Sequence, residues 1–302
     1  MVVIVLLLSS CGEPGPTPKA RRCEAGNWKQ VSVSHLVACG VHLDGCVECW
    51  GNEDVEEQNY YGGYDYTGDD QPPEGILFDS VAVFPGNPYE VSGGYYSCGV
   101  GLDQELYCWG DVPGTYPSVG LDAVTIDNGG RVGLTSGGAI YDYDFPDAVD
   151  PAAPTGRFVD VDQFEYRGWS YTCALDEAGV VHCWDGCDIV EGCIPPSDAF
   201  RMIDLGDLDG CGITTSAELK CWGEGGRHLD EPAPGLQFQT VVEAIGCGLL
   251  TDGSVWCGIE GTPSTGTFID LSGSGWQACA ISTDHELVCW GHDKGGVTNP
   301  PP

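Results

Sequence analysis

The chain has 302 residues, which is enough for one large all-β domain or for two ordinary domains. Acidic residues outnumber basic ones by 46 to 11, and the formal net charge of −35 argues against a direct nucleic-acid partner. The same charge serves solubility or steers the chain toward basic surfaces and divalent cations.

The N-terminus predicts a lipoprotein signal peptide over residues 1–10, a short apolar run that cannot span a bilayer. Leu8-Ser9-Ser10-Cys11 resembles the bacterial lipobox, in which the cysteine is lipidated. A buried strand is the alternative. Proline and glycine then predict a lipidated tether over residues 11–27, with the folded domain at 28–302. With 17 cysteines in the chain, we expect an oxidising site in the bacterial envelope, periplasmic or at the cell surface.

One cysteine spacing recurs along the chain. Internal repeats are considered before any single segment, because a repeat determines the whole fold. The copies have the form C-x9-C: Cys39 with Cys49, Cys98 with Cys108, Cys173 with Cys183, Cys211 with Cys221, Cys247 with Cys257 and Cys279 with Cys289. Val132 to Asp142 keeps the length and the pattern without the cysteines. Successive units start between 32 and 59 residues apart, which indicates an array of seven repeats with one insertion.

The pattern of each unit predicts a β-hairpin. Alternating apolar residues lie on both sides of the midpoint between the two cysteines, which is five residues from each of them, and the turn is expected at that midpoint. In the unit from Cys247 to Cys257 the turn is Thr251-Asp252-Gly253, with glycine at the left-handed position. Glycine recurs there in three other units, at Gly45, Gly138 and Gly179. Gln104, Ala217 and His285 hold the position in the remaining three, where we expect a strained or a rearranged turn.

A further strand precedes the hairpin, as in Phe78 to Val81 and Phe158 to Val161. Units of this length, built of strand and turn without helical periodicity, bury both faces only when they stand side by side in a ring. The sequence therefore predicts an all-β, seven-bladed β-propeller.

The repeat resembles the RCC1 repeat. The shared features are the Phe158-Val-Asp-Val strand, Gly168, Cys173-Ala-Leu, the turn at Gly179 and the Cys183-Trp ending. The resemblance implies a short, cysteine-rich bacterial member of the RCC1-like propellers. The units mostly lack the Gly-Gln-Leu-Gly that follows Trp-Gly in eukaryotic members, so nucleotide exchange and chromatin binding are not carried over. The shorter bacterial relatives include a secreted β-lactamase-inhibiting propeller, which binds its target through loops on one face.

The cysteine pattern favours disulfides over metal ligands, since zinc sites use shorter spacings. We expect each C-x9-C pair to close within its own hairpin. Four cysteines outside the repeats then supply two further bridges, most simply Cys187 to Cys193 and Cys23 to Cys46.

Two sets of aromatic residues are candidates for partner binding. The tryptophans after the second cysteine recur once per unit, which is typical of packing between blades. A second set stands in the turn before the first cysteine, where side chains either pack or form a contact surface on one rim of the ring: Tyr95, Tyr96, Trp169, Tyr171 and Trp276.

The insertion in the first unit, residues 51–75, combines tyrosines with many acidic residues: Tyr60, Tyr61, Tyr64 and Tyr66. Long loops on a rigid scaffold commonly carry recognition, and a solvated loop without a partner is the alternative.

The chain shows no recurring catalytic set, and its six histidines are scattered. We expect no catalysis, no cofactor and no metal ion, although Asp204, Asp207 and Asp209 leave calcium open. The expected role is binding of another protein or an envelope component, with membrane attachment through the lipid only. The alternative is an extracytoplasmic hydrolase of a polysaccharide or similar substrate, with carboxylates in the central pocket.

Overall fold

The computed structural model describes residues 23, 25–34, 36–51, 71–84, 96–110, 123–126, 132–142, 152–166, 169–184, 194–206, 209–223, 235–242, 245–258, 265–275, 277–293 and 296–301. These residues form twenty-one strands in seven three-stranded antiparallel sheets, each built from three consecutive strands. None of them belongs to a helix that is long and apolar enough to cross a membrane.

The sheets are the blades, numbered here in chain order. Blade 1 is β1 (Trp28–Val33), β2 (Val37–His42) and β3 (Val47–Gly51); blade 2 is β4 (Phe78–Phe84), β5 (Tyr96–Gly101) and β6 (Leu106–Gly110); blade 3 is β7 (Ala123–Ile126), β8 (Val132–Thr135) and β9 (Ile140–Asp142); blade 4 is β10 (Phe158–Tyr166), β11 (Trp169–Asp176) and β12 (Val181–Trp184); blade 5 is β13 (Phe200–Leu205), β14 (Asp209–Thr214) and β15 (Leu219–Gly223); blade 6 is β16 (Phe238–Val242), β17 (Cys247–Leu250) and β18 (Val255–Cys257); blade 7 is β19 (Phe268–Ser274), β20 (Gln277–Ser282) and β21 (Leu287–Gly291).

The blades close into a ring. At six interfaces the first strand of one blade contacts the first strand of the next, and β1 in this way contacts β19. Between blades 3 and 4 the contact is from β8 to β10. The first strands therefore lie innermost, and blade 7 meets blade 1. The protein is a seven-bladed β-propeller, as the sequence predicted.

The second and third strands of each blade form the predicted hairpin. In six blades the two cysteines of the C-x9-C unit are directly paired across the ladder, with Cα atoms 4.0–4.1 Å apart. Each pair is joined by a disulfide within its own unit, as predicted: Cys39 to Cys49, Cys98 to Cys108, Cys173 to Cys183, Cys211 to Cys221, Cys247 to Cys257, and Cys279 to Cys289. In blade 3 the same register pairs Val132 with Asp142.

The two cysteines of a hairpin differ in burial. The first cysteine, on the middle strand, is buried in all six pairs. The second cysteine, on the outer strand, is partly exposed in five pairs and exposed in one: Cys49, Cys108, Cys183, Cys257 and Cys289, with Cys221 the exposed one. The difference follows from strand order, because the third strand is the outer edge of its blade.

Two further disulfides were expected outside the hairpins. Cys23 is joined to Cys46, which fixes the predicted tether to blade 1 at Cys23 and confirms that pairing. The predicted pair of Cys187 and Cys193 lies outside the described residues.

The hairpin turns have the predicted geometry. The Leu250 N–H donates to the Ser254 carbonyl at 2.8 Å and the Gly253 N–H to the Leu250 carbonyl at 2.9 Å. The φ angle is positive at all seven turn positions, including Gln104 (67°), Ala217 (64°) and His285 (63°), which are not glycine. The expectation of strain in those three turns is confirmed, because a side chain disfavours this backbone region.

The carbonyl of the left-handed turn residue also joins neighbouring blades. In blade 4 the Gly179 carbonyl accepts the N–H of Phe200, the first residue of blade 5, at 2.9 Å. The same bond recurs from Gly45 to Phe78, Gly138 to Phe158, Ala217 to Phe238, Gly253 to Phe268 and His285 to Trp28. The turn thus fixes the spacing of the blades as well as the hairpin.

The hydrophobic core is divided among the interfaces between blades. The aromatic residue that opens the first strand is buried in six blades: Trp28, Phe78, Phe158, Phe200, Phe238 and Phe268. It is followed by a β-bulge, after which the register shifts by one residue. The bulge turns the next residue outward, so Val159 is 52% exposed.

Candidate partner-binding rim

The first strands all end, and the second strands all begin, at one edge of the ring, because every blade has the same antiparallel order. We call this edge the upper rim; it is the edge at which each first strand ends and each second strand begins. The hairpin turns with positive φ lie at the opposite edge, the lower rim. The ends of seven strand pairs thus share the upper rim.

Among the described strands, the first strand pair of blade 4 extends furthest at the upper rim. β10 has 9 residues and β11 has 8, against at most 7 and 6 in the corresponding strands. The two additional pairs are Glu165 with Ser170 and Tyr166 with Trp169. At about 3.3 Å per residue they extend the ladder by roughly 7 Å. Among the described residues, the Trp169 backbone therefore lies at the end of the strand pair that extends furthest at this rim.

Tyr171 and Tyr96 are not part of the rim surface, which corrects the prediction that they contact a partner. Tyr171 is 4% exposed, and its hydroxyl donates to the Gly206 carbonyl at 2.6 Å. The hydroxyl also contacts the Asp209 carbonyl of blade 5. Tyr96 is 7% exposed. Both rings point back into the packing, because side chains alternate along a strand and theirs occupy the buried face.

The hydroxyl of Tyr171 joins the base of the projecting hairpin to the backbone of blade 5. It reaches from blade 4 to both ends of the turn at the top of blade 5. The Phe164 ring packs beside it, with ring centroids 6.3 Å apart. The long hairpin is thus attached to the neighbouring blade at its base.

The positions of the other aromatic side chains proposed to bind a partner are not described by the structure. The structure describes the backbone of Trp169 but not its side chain. Outside the described residues lie Tyr95, Trp276, Tyr60, Tyr61, Tyr64 and Tyr66. The aromatic patch formed by these side chains stays a prediction.

The tryptophans after the second cysteine pack between blades, as predicted. Trp109 is buried in a cluster with Val37 and Cys39 of blade 1, and Trp222 is buried with Tyr171 of blade 4. Trp184 and Trp290 pack against the cores shared with blades 3 and 6. Trp109 and Trp222 are buried, and Trp184 and Trp290 are partly exposed.

Two carboxylates among the described residues have a raised pKa. Burial raises the pKa of Asp160 to about 6 and that of Asp270 to about 6, because desolvation penalises the charged form. Each accepts a backbone N–H of the next blade, Asp160 from Ile203 at 2.9 Å and Asp270 from Val31 at 2.8 Å. The two lie in blades 4 and 7 and do not form an acid–base pair.

The polar residues of the innermost strands join blades in a second way. At the equivalent positions in blade 1, Gln30 exchanges two hydrogen bonds with the Val81 backbone at 2.8 Å, and the Ser32 hydroxyl accepts the Val83 N–H at 3.0 Å. The calcium candidates Asp204 and Asp209 belong to the ladder of blade 5, and Asp207 lies outside the described residues. The sequence showed the polar positions but not the backbone groups that they face.

No family model matches the chain. Among solved structures, the ectodomain of the Physcomitrella patens receptor kinase CR4 is 20% identical, with a TM-score of 0.63 over 88% of this chain and 74% of that one. The CRINKLY WD40 ectodomain of the Arabidopsis thaliana receptor kinase ACR4 is 21% identical, with a TM-score of 0.59 over 88% of this chain and 96% of that one. Yeast RCC1 (Prp20) bound to Kap60 has a TM-score of 0.46 at 13% identity over 91% of this chain and 72% of that one. The first two similarities agree with the propeller fold; the RCC1 resemblance of the repeats stays a prediction.

Proposed function

We propose that this chain is an envelope lipoprotein whose propeller binds another protein or an envelope component at the upper rim, without catalysis. The observation that carries the proposal is the projecting hairpin of blade 4, with Trp169 at its tip. A strand pair that extends beyond its neighbours and is anchored at its base offers a rigid contact surface.

Export is supported by the cysteines. Seven disulfides join the described cysteines, and such frameworks persist in the periplasm or at the cell surface rather than in a reducing cytosol. The first cysteine of each hairpin is nearly inaccessible, as in Cys39 and Cys173, both 0% exposed.

The lipid anchor rests on the lipobox-like Leu8-Ser9-Ser10-Cys11 and the tether behind it. Cys11→Ala is expected to release the chain from the membrane fraction with an unchanged melting temperature, because the first strand begins only at Trp28. Membrane fractionation and thermal melting measure the two effects. Retention of the Cys11→Ala chain in the membrane would contradict the anchor.

The binding test uses the Cys11→Ala chain as bait for envelope proteins of the source organism. For a captured partner, Trp169→Ala/Trp276→Ala is expected to weaken the affinity at least about 30-fold, the equivalent of about 2 kcal/mol for a hot-spot pair. Val159→Ala is the matched control, since it truncates an exposed side chain of the same blade near the lower rim and leaves the upper rim and the Tyr171 hydrogen bonds unchanged. Equal affinity of the double variant and the control would move the site to the tyrosines of the insertion, Tyr60 to Tyr66.

The proposal includes no catalytic step. The two carboxylates with raised pKa lie in different blades, and each already binds a backbone N–H. Paired acid and base groups, which a glycoside hydrolase requires, are a different arrangement. Hydrolysis of envelope polysaccharides by the Cys11→Ala chain, abolished by a carboxylate variant, would overturn this part of the proposal.

A further inference from the structure

A cluster of metal-ligating groups lies at the lower rim of blade 1, away from the proposed binding surface. The Sγ atom of Cys23, a ring nitrogen of His42 and a carboxylate oxygen of Glu48 all lie within 4.8 Å of one another. Cys46, the disulfide partner of Cys23, is on the turn between His42 and Glu48. One sulfur atom, one imidazole and one carboxylate thus converge, and a second sulfur atom, that of Cys46, is bonded to the first.

His42 is held in the orientation of a metal ligand. It is 1% exposed, and its ring lies against Trp28 with centroids 3.8 Å apart. The Nδ1–H donates to the Gly26 carbonyl at 2.7 Å, because a carbonyl can only accept. This bond places the lone pair on Nε2 in the neutral ring, and metal-binding histidines commonly make the same bond to a backbone carbonyl.

The second nitrogen of His42 has no hydrogen-bond partner among the described residues. It faces Glu48 Oε2 at 3.5 Å, beyond a good hydrogen bond. A buried nitrogen without a partner is uncommon and requires a reason. In the reduced chain, a metal ion between Nε2, the carboxylate and the cysteine thiolates would supply this partner.

We propose that reduction of the Cys23–Cys46 disulfide opens a site for a zinc-class divalent ion. The four ligands are the two cysteine thiolates, His42 Nε2 and Glu48, a set of the kind that zinc binds in tetrahedral geometry. While the disulfide is closed, its sulfur atoms are not thiolates and the site lacks half of its ligands. The inference does not depend on the proposed binding function.

The reaction balances with a dithiol as reductant. The dithiol transfers two electrons and two protons, the Cys23–Cys46 bond breaks to give two thiols, and the dithiol becomes a cyclic disulfide. Metal binding then displaces one proton from each thiol, and the ion keeps its oxidation state. The site therefore couples the redox state of one disulfide to metal occupancy.

The position of this bond also favours its reduction. Thiol–disulfide exchange requires access to a sulfur atom, and Cys23 is partly exposed, as are most second cysteines of the hairpins. The hairpin bonds differ in that the ladder on both sides holds their two cysteines face to face after reduction, so they close again readily. Cys23 stands ahead of the first strand and is not held by a ladder. We therefore expect the Cys23–Cys46 bond to stay open at reductant concentrations that leave the hairpin bonds closed.

The test uses the full chain, treated with increasing dithiothreitol, desalted without oxygen and titrated with Co²⁺. Differential alkylation and mass spectrometry identify the free cysteines at each step. We expect one tetrahedral cobalt with thiolate charge-transfer absorption per chain once Cys23 and Cys46 are free, displacement of the cobalt by Zn²⁺, and none in the oxidised chain.

Two variants separate this site from other cysteines. Cys23→Ser/Cys46→Ser, reduced in the same way, reports any cobalt held elsewhere and is expected to lack the signal. Glu48→Gln keeps the shape of a partly exposed side chain and is expected to weaken cobalt binding at least about tenfold. Equal cobalt binding by the reduced chain and the double serine variant, or a Cys23–Cys46 bond that stays closed until the hairpin disulfides open, would overturn the proposal.

Discussion

The turn residue Ala217 offers a quantitative test of the blade geometry. Its φ of 64° places a residue with a side chain in the left-handed region, at a position where four other blades have glycine. Ala217→Gly removes the Cβ and leaves in place the carbonyl that accepts the Phe238 N–H at 2.9 Å. The reverse change in an equivalent turn, Gly179→Ala, introduces the same strain.

The expected magnitude follows from two opposing terms. Relief of the left-handed strain stabilises by about 1–2 kcal/mol. The extra freedom of glycine in the unfolded chain costs about 0.4–1 kcal/mol. Ala217→Gly should therefore stabilise by about 0.5–1 kcal/mol and raise the melting temperature by roughly 1–3 °C for a domain of this size.

The reverse variants form a graded series. A Cβ at Gly179 would lie 2.7 Å from the Phe200 carbonyl oxygen, so Gly179→Ala is expected to destabilise by about 1–3 kcal/mol. At Gly253 the nearest atom is 3.2 Å away, on a side chain, and a smaller loss is expected. Melting of the oxidised proteins measures the series. If Ala217→Gly lowers the melting temperature, or Gly179→Ala leaves it unchanged, the assigned turn geometry is wrong.

Three further changes test other parts of the structure. Since burial raises the pKa of Asp160 and Asp270 to about 6, their contribution to stability is full below about pH 4 and is lost as the pH rises through 6. Asp160→Asn/Asp270→Asn should therefore melt progressively higher relative to the parent chain between about pH 4 and about pH 7, with little further change above that range; a difference that stays constant from about pH 4 to about pH 7 would contradict the raised pKa values. Val132→Cys/Asp142→Cys should close an additional disulfide in blade 3, because these two residues are paired as the cysteines are in the other blades. Non-reducing peptide mapping checks the bond, and closing this loop is expected to stabilise the folded chain by about 2–3 kcal/mol. Tyr171→Phe should destabilise by about 1–2 kcal/mol in thermal melting, since it removes the only donor that the side chain supplies to the carbonyls of the neighbouring blade; an unchanged melting temperature would show that the hydroxyl is not needed there.

The sequence predicted the blades because the repeat leaves few alternatives. A fixed distance between Cys247 and Cys257 and a glycine at position 253 each specify the same hairpin, and the structure confirms both. The pairing of Cys23 with Cys46 followed from the number of cysteines left over, and it is also confirmed. Repeated local signals of this kind predict local structure well, since each copy tests the others.

The candidate site was less predictable, because the orientation of its side chains depends on the backbone groups of a neighbouring blade that they contact. Tyr171 and Trp169 are two residues apart and looked alike in the sequence. Only the carbonyls of Gly206 and Asp209, more than thirty residues further along the chain, show that the Tyr171 ring points inward. The unpartnered nitrogen of His42 had no sequence signal either, since its environment combines the tether with the turn of blade 1.

The interface that closes the ring, between blades 1 and 7, combines the hydrogen bonds that recur between other blades with contacts of its own. Blade 1 contains only N-terminal strands and blade 7 only C-terminal ones, so no strand is shared across the closing interface. The regular bonds of the other interfaces recur there, from Trp28 to the His285 carbonyl and from Val31 to Asp270. Further bonds are added: the Trp50 indole donates to the Val297 carbonyl at 2.8 Å, and the His285 ring to the Trp28 carbonyl at 2.9 Å.

The segment after the last strand completes this interface. Val297 is fully buried in the cluster that blades 1 and 7 share, and a Cβ on Gly51 would approach its side chain to 3.0 Å. Because the closing blades share no strand, side-chain packing and these few bonds replace the ladder that a shared strand would provide. Two residues of the closing interface also depart from the most common residue of the repeat: Trp28, where the other described blades open with Phe or Ala, and His285, where four blades have glycine.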